Sequence, residues 1–276
     1  AWGQFLEREG VHVAYGVERL KTHVKLALVV REEGERIRRY AHFGTGNYHT
    51  ATARIYEDLG VLTADPEICE EVGAVFNTLT GSTPYPGGNH ILVAPVTMRD
   101  RFTALIRREA EHARAGRPSG IDAKMNQLQD NGIIRELYEA SRAGVPIRLN
   151  VRGLCCLRPG VPGLSETIRV FGVIGRFLEH SRIYRFRNGD EPEYLICSAD
   201  WMKRNLNNRV ETVVEVHDPG LEDQLDRILN VYDRDNASAW DCDADGTYRL
   251  RTPKKGDPPR AAQEIFIERA RKRSGG

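Results

Sequence analysis

The chain has 276 residues, enough for two domains or one large one. Hydrophobic residues make up 40% and charged residues 29%, the balance of a globular protein, and no apolar run has the length of a membrane span. A formal net charge of +1 argues against wholesale electrostatic binding of nucleic acid and leaves only local basic patches open.

The first residue is alanine, and residues 1–9 read as the end of an amphipathic helix with Trp2, Phe5 and Leu6 on one face. A fragment of a longer protein is therefore expected. A strand is expected over 11–15 and two more over 21–30 and 36–43, parted by the charged turn Arg31-Glu32-Glu33-Gly34. Asp65 and Pro66 supply an N-cap and a first helical position, and that helix runs to about Leu79. Residues 80–88 combine Gly, Pro, Ser and Thr into the strongest breaker in the chain, so the boundary between two domains, 1–88 and 89–276, is placed there.

Beyond it a strand opens at Ile91, and residues 98–115 have a helix-periodic pattern. A strand over 123–128, a helix over 132–143 ended by Gly144, and a buried strand over 145–151 follow. Further strands are expected over 177–186, 194–198 and 210–216. Asp218-Pro219 caps a helix to about Asn230, and residues 259–272 form a basic helix. Strands alternating with helices define an α/β fold, largely with mixed sheets.

Two short motifs occur twice, in the same order. His23-Val24-Lys25 precedes Gly44-Thr45-Gly46-Asn47, and His180-Ser181-Arg182 precedes Cys197-Ser198-Ala199-Asp200. Both histidine segments read as buried strands, where residues i and i+2 share a face. His23 then projects with Lys25, and His180 with Arg182. An imidazole beside a fixed cation suits attack on phosphate: the ring supplies the nucleophile or a proton, and the cation neutralises the oxygens. Glu179 falls on the opposite strand face and has no role in this reading. By symmetry either histidine can be the nucleophile. Asn47, Thr45 and Ser198 are candidate hydrogen-bond donors to phosphate or to the histidines.

The H-x-K plus G-[ST]-x-N pattern is that of the phospholipase D superfamily, in which two such halves face each other across one site. Longer stretches resemble bacterial polyphosphate kinase, the type with phospholipase D-like domains. They include 20–25, 40–48, 52–56, 62–65, 151–153, 177–180 and 198–202. This resemblance runs nearly end to end. It implies two phospholipase D-like α/β domains, 1–88 being the remainder of the first and 89–276 the second. It further implies reversible transfer of the terminal phosphate of ATP to polyphosphate. His23 matches the family's phosphohistidine and His180 its second essential histidine, which also contacts nucleotide. Tyr56 and Arg152 match positions that contact ATP. Lys25, Arg182 and Asn47 are then phosphate-binding. The family's magnesium positions lie upstream of residue 1, so Mg2+ is expected with ATP but not on this chain. The partners implied are polyphosphate and adenine nucleotide, with no specific nucleic acid, and a homo-oligomer for the full-length enzyme.

Two rival readings stand beside it. A phospholipase D-type phosphodiesterase shares the histidine chemistry, but Arg182 replaces the usual lysine and Asp200 the usual asparagine. A non-catalytic polyanion-binding module is the other. The arginine runs at 36–39 and 99–108 read as solvated faces or a polyanion path. Asp241 to Gly246 imitates the start of a calcium loop, but Thr252 stands where a bidentate Glu is needed. The five cysteines have no metal spacing, and a cytoplasmic location with reduced thiols is expected.

Overall fold

The computed structural model describes residues 2–81 and 83–275; Ala1, placed in the first helix by the sequence pattern, Ser82 in the breaker, and Gly276 lie outside the described residues. In chain order the elements are α1 (Trp2–Arg8), β1 (Lys21–Thr22), β2 (Leu26–Glu33), β3 (Arg36–Gly44), α2 (Thr50–Ala53), β4 (Tyr56–Glu57), β5 (Gly60–Thr63) and α3 (Pro66–Leu79). Then come β6 (Ile91–Ala94), α4 (Met98–Arg114), β7 (Ile121–Met125), α5 (Asn131–Arg142), β8 (Ile147–Val151), β9 (Ile168–Val173) and β10 (Leu178–Glu179). The chain continues through β11 (Ile183–Phe186), β12 (Glu193–Cys197), α6 (Lys203–Asn208), β13 (Arg209–Val216), α7 (Pro219–Asp233), β14 (Ala239–Cys242), β15 (Tyr248–Leu250) and α8 (Ala262–Ser274).

The helix starts follow the cap chemistry read in the sequence. Asp65 Oδ1 accepts from the amides of Glu67 at 2.9 Å and Ile68 at 3.0 Å, with Pro66 in the first turn. Asp218 caps α7 in the same way through Leu221, and Asp130 caps α5 through Ile133. Each cap satisfies amides that have no partner inside the helix.

The main sheet is mixed, ordered β1-β13-β12-β11-β7-β8-β9-β14-β15, with β6 also paired to β13. Strands β7, β8 and β9 run parallel, and α5 makes the crossover between the first two. The central strands of this sheet are buried on both faces, whereas β1 and β15 at its edges are exposed. Tyr184, Phe186, Leu195 and Val213 join Phe102, Leu105 and Leu137 in one core under α4 and α5. Ile183, Ile196 and Val214, on the alternate positions, join Val72, Val75 and Leu225 in a second core under α3 and α7. A smaller three-stranded sheet, β2-β3-β5, and a parallel pair, β10-β4, complete the fold.

Two sequence expectations change here. Residues 11–15 form no strand. The two histidine strands are each broken at the motif. β1 pairs with β13 of the main sheet, and His23 N still donates to the Val210 carbonyl at 3.0 Å, but β2 pairs with β3 in the small sheet. Likewise β10 pairs with β4, and β11 with the main sheet. Residues 23–25 and 180–182 are therefore the stretches where the chain leaves one sheet for another. A propensity reading joins the flanking β-formers into one strand, because nothing local marks a change of partner. No helix of the described residues is long and apolar enough to cross a membrane.

Candidate active site

Both crossings deliver their side chains to one place. At the first, Lys25 is buried and its Nζ lies 3.2 Å from His23 Nδ1 and 3.0 Å from Nε2. The same ammonium donates to the His23 carbonyl at 2.7 Å. At the second, Arg182 Nη1 lies 3.1 and 3.3 Å from the two ring nitrogens of His180 and donates to the His180 carbonyl at 2.7 Å. The geometry repeats although the cation differs. In both cases the i+2 cation bonds back across its own backbone and presents charge to the ring.

The second motif also meets the turn that follows the first through Arg182 Nη1, which donates to the Thr45 carbonyl at 3.3 Å. Thr45 sits in the turn after β3, fixed by its hydroxyl to the amide and carbonyl of Leu59. Gly46 is needed beside it, because a Cβ there would fall 1.7 Å from the Asp58 carboxylate. Asn47 lies next along the same turn, half-buried. The ring of Tyr56 packs on that of His180, with centroids 4.6 Å apart and planes at 38°. Arg152 follows the carboxyl end of β8; its Nε donates to Asn126 Oδ1 at 2.6 Å and to the Glu179 carbonyl. Parallel strands commonly place ligand groups at such ends.

Several residues of the site escape the sequence reading. Glu211 on β13, 0% exposed, accepts from His23 Nδ1 at 2.9 Å, Ser198 Oγ at 2.6 Å and Asn205 Nδ2 at 2.6 Å. The available signal was ambiguous, since Glu211 and Glu215 both interrupt the valines of 210–216. Asp200 takes Arg182 in a fork, with Nε to Oδ1 at 3.1 Å and Nη2 to Oδ2 at 3.4 Å. The two departures from the H-x-K and asparagine pattern are thus one paired exchange: an arginine needs a planar two-oxygen partner, and Asp200 supplies it. Asp200 also accepts from the amide and side chain of Asn126, which links it to Arg152.

Crowded cations shape the electrostatics. Burial, then Arg182, Lys25 and Arg152, push the His180 imidazole down to about 2, so the ring is neutral at ordinary pH. Burial lowers Lys25 to about 8; Glu211 opposes this and Arg182 and Arg209 add to it. Burial also lowers Arg152, with Asp200 opposing and Arg182 adding. Four cations, Lys25, Arg152, Arg182 and Arg209, against two carboxylates, Glu211 and Asp200, each already engaged, leave a site that attracts anions. The arginine run of α4 has no such character: Arg99 pairs with Asp130, Arg107 with Glu136 and Arg108 with Glu193. The calcium-like segment forms part of the β14–β15 hairpin, with Asp241 paired to Arg251.

An α/β fold with mixed sheets that brings two histidine–cation pairs to one site is the phospholipase D-like architecture. Residues 1–84 match the family model for polyphosphate kinase C-terminal domain 1, and residues 91–263 match polyphosphate kinase C-terminal domain 2. The chain belongs to the polyphosphate kinase family. It is 52% identical over 271 residues to polyphosphate kinase of Thermosynechococcus vestitus, covering 98% of this chain and 37% of the relative. The enzyme of Streptomyces coelicolor is 49% identical over 275 residues, again covering 37% of its length. The chain thus spans little more than a third of these curated relatives. A crystal structure of polyphosphate kinase from Porphyromonas gingivalis superposes with a TM-score of 0.91 at 39% identity, over 99% of this chain and 42% of that one. Phosphatidylserine synthase from Haemophilus influenzae shares the fold at a TM-score of 0.51 and 8% identity, over 92% of this chain and 69% of that one.

Proposed function

We propose that the full-length protein is an ATP:polyphosphate phosphotransferase and that residues 1–276 supply its transfer centre. The observation that carries this is the convergence of the two histidine–cation pairs, with Glu211 holding His23 Nδ1 at 2.9 Å. Glu211 fixes the tautomer in which Nδ1 bears the proton and Nε2 keeps its lone pair. His23 Nε2 attacks the terminal phosphorus of ATP. The N–P bond forms, the bond from phosphorus to the bridging oxygen breaks, and its electron pair leaves with ADP. The ring then carries positive charge, which Glu211 compensates. A terminal oxygen of polyphosphate attacks the same phosphorus, the N–P bond breaks, and His23 is regenerated. The reverse sequence makes ATP.

In the free site Lys25 donates to the ring; an arriving phosphate oxygen takes over that ammonium and frees Nε2. Lys25, Arg152 and Arg182 neutralise the equatorial oxygens as in-line transfer requires. His180, being neutral, holds the transferring group as a hydrogen-bond donor. Asn47 reaches the same phosphate from its turn. Tyr56 also lines a cavity of about 590 Å³ with Phe177, Phe266 and Ile267, and this supports a base-binding role for the far side of its ring. Mg2+ comes with the nucleotide by family resemblance. Among the described residues no three His, Cys, Asp or Glu side chains are grouped to hold a cation, so no step is assigned to the ion here.

The division at 88/89, a cytoplasmic location and self-association belong to the same proposal. Exposed Val29, Val30, Ile37 and Leu62 support the last, and light scattering tests it. The reaction itself is tested with the purified full-length protein, γ-labelled ATP and a polyphosphate primer. Label entering longer chains is the expected result. Hydrolysis of a generic phosphodiester without chain growth would overturn the proposal in favour of a diesterase, and polyphosphate binding without turnover in favour of a binding module.

A further inference from the structure

A lysine in the middle of the main sheet takes no part in the transfer centre. Lys124, on β7, is 2% exposed. Its Nζ lies 3.2 Å from Glu57 Oε2 and 3.0 Å from Glu179 Oε2. It donates to Ser181 Oγ at 2.6 Å and to the Ser181 carbonyl at 3.2 Å, and it stands 5.0 Å over the Tyr232 ring. Glu57 also accepts from the Ser181 hydroxyl at 2.8 Å. Glu179 accepts from the Tyr232 hydroxyl at 2.5 Å and from Gln263 Nε2 at 2.8 Å. One buried cation thus gathers groups from β4, β10, α7, α8 and the crossing at 180–182.

Stability alone is a weak reason for such a cluster, because apolar residues of similar volume often serve as well. Position offers a better one. Along 179–182 the side chains alternate: Glu179 and Ser181 meet Lys124, while His180 and Arg182 meet the active site. On the other half, Glu57 meets Lys124 and its neighbour Tyr56 packs on His180. Lys124 therefore ties together, from behind, the two segments whose front faces form the Tyr56–His180 stack.

We propose that Lys124 is a positioning residue: by joining Glu57, Glu179 and Ser181 it sets the spacing of Tyr56 and His180 and so the nucleotide side of the site. This rests on the phosphotransferase reading above. The groups that face the cation are Glu57 on β4, Glu179 on β10, Ser181, Tyr232 on α7 and Gln263 on α8. Burial pushes the Glu57 carboxyl up, but Lys124, Ser181, Glu179 and their hydrogen bonds bring it below its ordinary value. Burial, with Glu57 beside it, raises Glu179 against the pull of Lys124. Without the ammonium both carboxyls favour protonation. A variant lacking it is then worst at high pH and improves as acid restores a neutral pair.

The test uses Lys124→Met and Lys124→Met/Glu179→Gln in the full-length protein. Expected for the single variant is a loss of about 100-fold in kcat/KM for ATP near pH 8, the size a misplacement of about 1 Å produces. The KM for polyphosphate stays within about threefold, since only the nucleotide side is displaced. The melting temperature of Lys124→Met falls more steeply with rising pH than the wild type's. The double variant, in which only Glu57 still titrates, has a shallower slope and regains about tenfold in kcat/KM near pH 8. A single variant with wild-type pH slope and ATP kinetics overturns the proposal, as does a loss confined to polyphosphate. Should Lys124→Met not fold, Ser181→Ala carries the test: a drop of about tenfold in kcat/KM for ATP with folding retained supports it, and wild-type kinetics overturn it. A wild-type protein that transfers no phosphate at all would instead sink the phosphotransferase reading.

Discussion

Replacing Glu211 with glutamine isolates what one buried carboxylate does for the nucleophile. The amide keeps the shape and one acceptor but loses the charge. In the native site the carboxylate is closed to solvent and serves three donors, His23 Nδ1, Ser198 Oγ and Asn205 Nδ2. A hydrogen bond to a charged group contributes about 1.5–3 kcal/mol. Once phosphate sits on Nε2 the ring is positive, and a charge pair at about 4 Å adds about 4 kcal/mol at an effective dielectric of about 20. Part of that attraction survives through the retained dipole, so a net loss of about 3–4 kcal/mol is expected, or about 100- to 1,000-fold in the rate of His23 phosphorylation. Because Glu211 also holds Lys25 up, the basic limb of the pH profile should move down from about 8. Single-turnover labelling by γ-labelled ATP reads both effects, while the KM for ATP changes by less than about threefold. A Glu211→Gln enzyme within about tenfold of the wild type, with an unmoved basic limb, would refute the orientation argument.

Other predictions concern the residues around it. Lys25 acts while protonated, so activity is retained below about 8 and lost as pH rises through it; Lys25→Arg should shift that loss upward, and an unchanged limb would exclude Lys25 as its source. Tyr56→Ala should raise the KM for ATP by about 10- to 100-fold, the range of base–aromatic stacking, with little change for polyphosphate; equal effects on both substrates would argue for a packing role. His180 is kept neutral when folded but takes a proton when unfolded, so its contribution to stability is present above the unfolded value and is lost as pH falls below it. His180→Gln should therefore flatten the acid side of the melting-temperature profile between about pH 6.5 and about pH 4.5. A slope equal to the wild type's would show that the imidazole is solvated.

Much of this was legible in the chain itself. The helix from Pro66 to Leu79 is bounded as its cap predicts, and the H-x-cation motifs identified both histidines and both cations that the fold brings together. What was not legible depends on partners distant in sequence. The break at 23–25 exists because Val210 and Phe43 lie in different sheets, and neither is local to His23. Strand β9 was missed because Ile168 to Val173 follows a long irregular connection. Glu211 acquires its role only when β13 lies beside β1, 188 residues away from His23. Asp200 looked like a departure from a pattern until the fold showed it in a fork with Arg182. Lys124 reads as one polar residue in a strand and gains meaning only from the carboxylates that β4 and β10 place around it.

The most direct test of the central claim is labelling of the full-length protein with γ-labelled ATP, wild type beside His23→Ala and His180→Ala. Acid-labile, base-stable label on the wild type, absent from His23→Ala and mapped to the peptide containing residue 23, is the predicted result. His180→Ala should still accept label, at a reduced rate. Label that survives His23→Ala would contradict the assignment of His23 as the phosphorylated nucleophile.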